Sequence, residues 1–162
     1  MPQMKRLGGE LSFRGRIMKI LILCTGNSCR SQMAEGFMKS FDAGLEVYSA
    51  GTEPAAQVNP KAVEVMAEAG INIGGNTPKS ANEFTDQEWD YVITVCGGAN
   101  EKCPVFTGKV KNRLHMPFDD PSEARGTPEF IDGEFVRVRD EIKEAFFKFY
   151  KIVDENDPAA RK

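Results

Sequence analysis

Ile17-Met18-Lys19-Ile20-Leu21-Ile22-Leu23-Cys24-Thr25-Gly26-Asn27-Ser28-Cys29-Arg30-Ser31 is the stretch that decides the fold. From Ile17 to Cys24 it is a short apolar, β-branched run of the kind a buried strand takes, and Thr25-Gly26-Asn27 ends that run with turn-forming residue types. From Ser31 to Phe41 the residues Met33, Phe37 and Phe41 recur four apart, the spacing of one helix face. Strand, turn and helix in this order place the loop at a helix N-terminus, where backbone N–H groups converge on an anion.

Working outward, Leu45 to Ala50 reads as a second strand. Asn59-Pro60 opens a helix whose Val63, Met66 and Ala67 are expected on one face before Gly70 stops it. Asp90 to Cys96 reads as a third strand, and Lys111 to Met116 as a shorter, more polar one that suits a sheet edge. From Thr127 to Val153 the residues Phe135, Val138, Ile142, Ala145, Phe149 and Ile152 alternate steps of three and four, which predicts a long amphipathic helix. The fold class is therefore α/β: one three-layer domain over 17–155, a four-stranded parallel sheet with helices on both faces. Ligands are expected beyond the carboxyl ends of the strands, which Cys24, Cys96 and Asp120 each follow.

Residues 1–16 are basic and glycine-bearing without sustained periodicity, so they are expected to be a disordered extension; Met18 is an alternative start. No apolar run reaches the length of about eighteen residues that a membrane span requires, and the leader lacks a signal-peptide core. A cytoplasmic protein, expected as a monomer, follows. The net charge of -3 gives no overall basic footprint for nucleic acid or an anionic membrane.

In a reducing compartment, the four cysteines are better read as chemistry than as static cross-links. Their spacings, five from Cys24 to Cys29 and seven from Cys96 to Cys103, do not fit a zinc knuckle, and His115 is the one histidine, so no metal is expected. Cys24 is the expected nucleophile, because a helix N-terminus and a nearby guanidinium favour the thiolate. The loop Thr25, Gly26, Asn27, Ser28, Cys29, Arg30 and Ser31 is the expected oxyanion cradle, with Arg30 supplying a planar fork for two oxygens. Gly26 and Asn27 tolerate positive φ, and Ser31 is placed to hydrogen-bond the Cys24 thiolate. Cys29 reads as buried packing and His115 as a structural histidine rather than a proton relay. On the loop Pro117-Phe118-Asp119-Asp120-Pro121, either aspartate is a candidate general acid.

Cys24-Thr25-Gly26-Asn27-Ser28-Cys29-Arg30-Ser31-Gln32-Met33-Ala34-Glu35-Gly36 resembles the low-molecular-weight phosphotyrosine phosphatase fold and, within it, the thioredoxin-coupled arsenate reductase family. Val47-Tyr48-Ser49-Ala50-Gly51, Asn59-Pro60-Lys61-Ala62, Phe118-Asp119-Asp120-Pro121 and Val136-Arg137-Val138-Arg139-Asp140-Glu141-Ile142 extend the resemblance from about Met18 to Val153. It implies that Asp120, directly before the proline, is the acid, that Asn27 and Ser31 stabilise the thiolate, and that phosphate or sulfate mimics arsenate. It also implies a role for Cys96 and Cys103 that a phosphatase lacks. Cys96 attacks a Cys24–arsenate adduct and expels arsenite, Cys103 attacks Cys96, and reduced thioredoxin resolves the disulfide; no cofactor is bound.

Some members of that family bind potassium through positions that map to Asn27, Glu35 and Ser49, plus an acidic residue where this chain has Lys79. The Lys79 ammonium is thus expected to stand in for the cation and neutralise Glu35, making activity insensitive to potassium. The alternative is a low-molecular-weight protein tyrosine phosphatase using Cys24, Arg30 and Asp120 alone. Against it, Ser122-Glu123-Ala124-Arg125-Gly126 offers no tyrosine or tryptophan to stack on a phosphotyrosine ring.

Overall fold

The computed structural model describes residues 5–7, 10–12, 17–97 and 104–155. Strands β1 (Lys5–Leu7) and β2 (Glu10–Ser12) pair antiparallel within the leader, for which no regular structure was expected, and are separate from the main sheet.

The main sheet consists of β3 (Lys19–Cys24), β4 (Glu46–Gly51), β5 (Trp89–Thr94) and β6 (Val110–His115), all parallel, in the order β4-β3-β5-β6. β3 is central and buried along most of its length, as its apolar run requires, whereas the polar β6 forms an edge and is mostly exposed. From β3 the chain moves first to β4 on one side and then to β5 on the other. The sheet therefore has a topological switch point at the carboxyl ends of β3 and β5, the place where open α/β sheets take their ligands.

Among the described residues, three α-helices connect and cover the strands: α1 (Arg30–Phe41), α2 (Pro60–Glu68) and α3 (Pro128–Glu155). Ile20 and Ile22 of β3 face one core with Met33, Phe37, Ala62, Met66, Phe135, Ile142 and Phe146, so all three α-helices pack on the same face. Leu21 and Leu23 point the other way, into a smaller cluster with Ala81, Phe84, Trp89 and Val92. Among the described residues, the expectation of helices on both faces is met there by the 3-10 turn Ala81–Glu83. Its segment, Ile71-Asn72-Ile73-Gly74-Gly75-Asn76-Thr77-Pro78, is too rich in glycine, asparagine and proline for a longer helix. Trp89 compensates with area and with its indole N–H, which donates to Phe84 O at 2.9 Å.

The helix signals act locally as read. Asn59 caps α2 by accepting from Lys61 N at 2.8 Å, Pro60 takes the first turn, and Gly70 ends the segment at φ +85°. The buried face of α2 is Ala62, Val65 and Met66, one position off the expected Val63, Met66 and Ala67. On α3 the buried stripe is Phe135, Val138, Ile142, Phe146, Phe149 and Val153, so Phe146 and Val153 replace the expected Ala145 and Ile152, and Ile152 is exposed. A strict seven-residue repeat drifts about 20° per heptad on a straight helix, which moves the apolar stripe on by one residue toward its end. Among the described residues, no helix is long and apolar enough to cross a membrane.

Candidate active site

The loop from Cys24 to Arg30 connects β3 to α1, and its conformation is set by neighbours on its outer side. Thr52 N donates to Cys24 O at 3.1 Å, Glu53 N to Thr25 O at 2.8 Å, Ala55 N to Gly26 O at 2.9 Å and Asn59 N to Ser28 O at 2.8 Å. Four loop carbonyls are thereby drawn outward, the arrangement that turns backbone N–H groups toward the interior of a loop. Gly51 makes this approach possible, since a Cβ there would lie 2.4 Å from Thr25 O and 2.9 Å from Asn27 N. Asn27 takes the left-handed conformation with φ 51°, whereas Gly26 does not adopt positive φ. The side chain of Asn27 supplies the reason: it bonds locally in a conformation that only glycine and asparagine enter readily.

Cys24 Sγ lies 2.9 Å from Ser31 Oγ and accepts from Asn27 N at 3.2 Å. Asn27 Nδ2 donates to Ser31 Oγ at 2.8 Å and to Ser49 Oγ at 2.9 Å, while Asn27 Oδ1 accepts from Gln32 Nε2 at 3.1 Å and Lys79 N at 2.9 Å. These four contacts fix the direction of the amide. Ser31 already accepts from Asn27, so its own hydroxyl proton is available for the sulfur, as a thiolate requires. The amide of Asn27 is completely buried, and every partner it has is in place.

Behind Ser49 the network continues to charge. Ser49 Oγ donates to Glu35 Oε1, and Lys39 Nζ pairs with Glu35 Oε2 at 2.6 Å. Glu35 is 5% exposed, so its carboxylate needs such a partner. The expected partner, Lys79, instead directs Nζ to Thr77 O at 3.3 Å in an exposed position and serves the site through its backbone N–H. Lys39 follows Glu35 by one helical turn, with the acid N-terminal to the base, so it reaches the carboxylate without bridging a loop. With both oxygens of Glu35 engaged by Lys39 and Ser49, the residues present do not fit a bound potassium ion.

Arg30, at the start of α1, is nearly buried. Its NH1 donates to Phe118 O at 3.1 Å and its NH2 faces Asp120 Oδ2 at 3.5 Å. Asp120 uses its other oxygen to cap the 3-10 turn Pro121–Glu123, accepting from Ser122 N at 3.0 Å and Ser122 Oγ at 2.7 Å. Asp120, not Asp119, thus faces the loop; Asp119 pairs with Arg137 on α3 at 3.0 Å.

Cys24 is the last residue of β3 and Cys96 lies two residues beyond β5, and Val95 N donates to Leu23 O at 2.9 Å between the two strands. Cys24, Cys29 and Cys96 are all buried in the larger core cluster. Burial, reinforced by the negative charge of Asp120, pushes the Cys29 thiol far above its ordinary value, in keeping with a neutral packing residue. Cys103 lies outside the described residues. His115 is on the exposed edge strand, 2.7 Å from Thr94 Oγ1. Sequence reasoning missed Gln32, Lys39 and Arg137. A glutamine or lysine on a helix reads as solvated, and it is the bonds that Gln32 Nε2 donates to Asn27 and that Gln32 Oε1 accepts from Asn76 Nδ2 that reveal its function.

Comparison with known proteins agrees with this geometry. The family model for low molecular weight phosphotyrosine protein phosphatase matches residues 19–159. An arsenate reductase of Shouchella clausii is 50% identical over 131 residues, 80% of this chain and 93% of that protein. A solved arsenate reductase in the phosphate binding state superposes with a TM-score of 0.70 at 33% identity, covering 82% of this chain and 96% of that one. A thioredoxin-dependent arsenate reductase of Corynebacterium glutamicum gives a TM-score of 0.52 at 27% identity, covering 80% of this chain and 62% of that one. On the match of the family model over residues 19–159 and the 50% identity to an arsenate reductase, the chain belongs to the low molecular weight phosphotyrosine protein phosphatase family, in its arsenate reductase branch.

Proposed function

We propose that this protein reduces arsenate to arsenite in the cytoplasm and is regenerated by thioredoxin, a role in arsenic detoxification. The observation that carries this reading is the placement of Cys24 and Cys96 at the ends of adjacent parallel strands, within one buried cluster. The Cys24 thiolate attacks arsenic(V) held by Arg30 and the loop from Thr25 to Ser31, and Asp120 protonates the departing oxygen, which leaves as water. Cys96 then attacks Cys24 Sγ. The S–As electron pair goes to arsenic, arsenite departs with arsenic(III), and a Cys24–Cys96 disulfide carries the two-electron oxidation. Cys103 attacks Cys96, frees Cys24 as thiolate and forms a Cys96–Cys103 disulfide, which takes two electrons from reduced thioredoxin.

Support for the electron donor comes from the thioredoxin-dependent structural relative, and support for the substrate from relatives with about half their residues identical. A phosphatase reading is kept in view by the family model itself, since Cys24, Arg30 and Asp120 suffice for phosphoester hydrolysis.

The deciding experiment follows NADPH oxidation with thioredoxin, thioredoxin reductase and arsenate, comparing wild type with Cys96→Ser and running 4-nitrophenyl phosphate hydrolysis beside it. Arsenate-dependent oxidation that disappears in Cys96→Ser is the expected result. A flat NADPH trace with equal ester hydrolysis by both proteins overturns the reductase reading in favour of the phosphatase. Cys103→Ser is expected to release one arsenite per enzyme and then stop; sustained turnover by that variant refutes the order of the relay.

A further inference from the structure

Asp119 and Asp120 are consecutive, yet their carboxylates point to opposite sides of the loop. Asp120 turns inward to Arg30 NH2 at 3.5 Å, and Asp119 turns outward to Arg137 NH2 at 3.0 Å. Asp120 is extended, with φ -90° and ψ 106°, and successive side chains on extended backbone project to opposite sides. A restraint on one of the two is therefore a restraint on the direction of the other.

Arg137 is set up in advance to apply that restraint. Its Nε and NH2 donate to Glu134 at 3.1 and 2.7 Å, and its NH1 donates to Glu141 at 2.9 Å, so two carboxylates on the same face of α3 hold the guanidinium in a fixed plane. Asp119 then meets an ordered fork, and the entropy cost of arranging a long side chain is already met within the helix. Other anchors of the loop are the ring of Phe118, stacked 6.3 Å from Phe146, the bond from Phe118 N to Val95 O at 3.1 Å, Arg30, and the cap in which Asp120 Oδ1 accepts from Ser122 N at 3.0 Å and Ser122 Oγ at 2.7 Å. Arg30 and Ser122 hold the Asp120 carboxylate from the inner side, and the Asp119–Arg137 pair restrains the same backbone from the outer side.

We infer that the Asp119–Arg137 pair is a latch that orients the Asp120 carboxyl toward the oxyanion loop, which makes both residues positioning residues for the proton-transfer step. The inference rests on the proposed role of Asp120 as the acid in arsenate reduction. Arsenate binding does not depend on the latch, because Arg30 and the backbone of the loop from Cys24 to Arg30 do not touch it.

The experiment measures kcat and KM for arsenate in the thioredoxin-coupled assay for Asp119→Asn, Arg137→Gln, the double variant and Asp119→Glu. Hydrogen exchange of the loop spanning 117–126 is followed in the same proteins. Each single variant is expected to lose about threefold to fivefold in kcat, the range that one exposed ion pair sustains, with KM changed by less than about twofold. The double variant is expected to be no worse than either single, and Asp119→Glu to keep most of the wild-type rate. Exchange of the loop is expected to quicken in Asp119→Asn and Arg137→Gln. Additive losses, a loss carried by KM, or an unchanged kcat overturns the latch. If wild type shows no arsenate turnover, the reductase reading fails separately, and the exchange measurement still decides the latch: unaltered protection of 117–126 in both single variants overturns it.

Discussion

Ser31 Oγ and Cys24 Sγ stand 2.9 Å apart, and Asn27 Nδ2 donates to the same serine oxygen at 2.8 Å, which leaves the hydroxyl proton free for the sulfur. A hydrogen bond to a charged acceptor contributes about 1.5–3 kcal/mol, so Ser31→Ala is expected to slow arsenate turnover by about 10-fold to 100-fold. Alkylation of Cys24 by iodoacetamide at neutral pH should slow in parallel. An alanine variant alkylated as fast as wild type would show that the serine does not support the thiolate.

Asn27 combines a left-handed backbone, φ 51°, with an amide that binds Ser31, Ser49, Gln32 and Lys79 N. Asn27→Gly keeps the conformation and removes the amide; Asn27→Ala removes both. The alanine variant is expected to be less stable than the glycine variant by about 1 kcal/mol, the cost of placing a Cβ in that region. Both should lose activity. Urea unfolding of the pair measures the difference, and equal stabilities would mean that the loop relaxes to another conformation.

Gly51 is placed against the backbone of the oxyanion loop, where an added Cβ would meet Thr25 O at 2.4 Å. Because the obstacle is backbone and not a flexible side chain, Gly51→Ala must displace the cradle. It is expected to raise KM for arsenate and lower kcat, while Gly75→Ala, at a position with nothing within 4 Å, changes neither. Steady-state kinetics of the two variants side by side is the check.

The parts of this molecule legible in the sequence are those set by neighbours along the chain. Ile20 to Leu23, Gly26 and Met33 to Phe41 specify strand, turn and helix locally, and the cysteine loop falls where that order puts it. The edge character of β6 was legible for the same reason: Lys111, Asn112 and Arg113 cannot be buried together. What escaped depends on distant partners. The choice between Lys39 and Lys79 for Glu35 is decided by how segment 76–80 lies over α1, with Lys79 N bound to Asn27 across the fold. The one-residue drift from Ile152 to Val153 on α3 reflects the helix period accumulating over its length, which a short pattern does not resolve. The three α-helices share one face because Ala62, Val65 and Met66 join the cluster of Met33 and Phe37, a tertiary fact with no local mark.

Lys39, not Lys79, is expected to carry the cation role. Removing its ammonium leaves the buried Glu35, among the described residues, with the Ser49 hydroxyl alone, so Lys39→Met should destabilise the protein by about 1 kcal/mol, between the values for exposed and buried pairs. Lys79→Met is expected to stay within about 0.5 kcal/mol of wild type, as exposed substitutions do. Replacing sodium by potassium at constant ionic strength should leave wild-type turnover unchanged and raise that of Lys39→Met. A strong response of wild type to potassium would remove the idea that the ammonium fills this role.

Cys29 links the site to alkaline stability. Its thiol is raised above the ordinary value of 9.0 first by burial and then by the charge of Asp120, so the folded protein retains a proton that the unfolded chain gives up as pH passes about 9. Below that pH both states are protonated and the contribution is complete. Above it the unfolded state binds fewer protons than the native state, so stability falls with rising pH by up to about 1.4 kcal/mol per pH unit from this group. Cys29→Ala removes the titrating group and keeps a small apolar side chain. Urea unfolding between pH 7 and 10.5 is expected to show a shallower alkaline decline for the variant than for wild type, whatever its stability at pH 7. Parallel curves would mean that Cys29 ionises in the native state, and that the floor of the oxyanion loop is wetter than its burial implies.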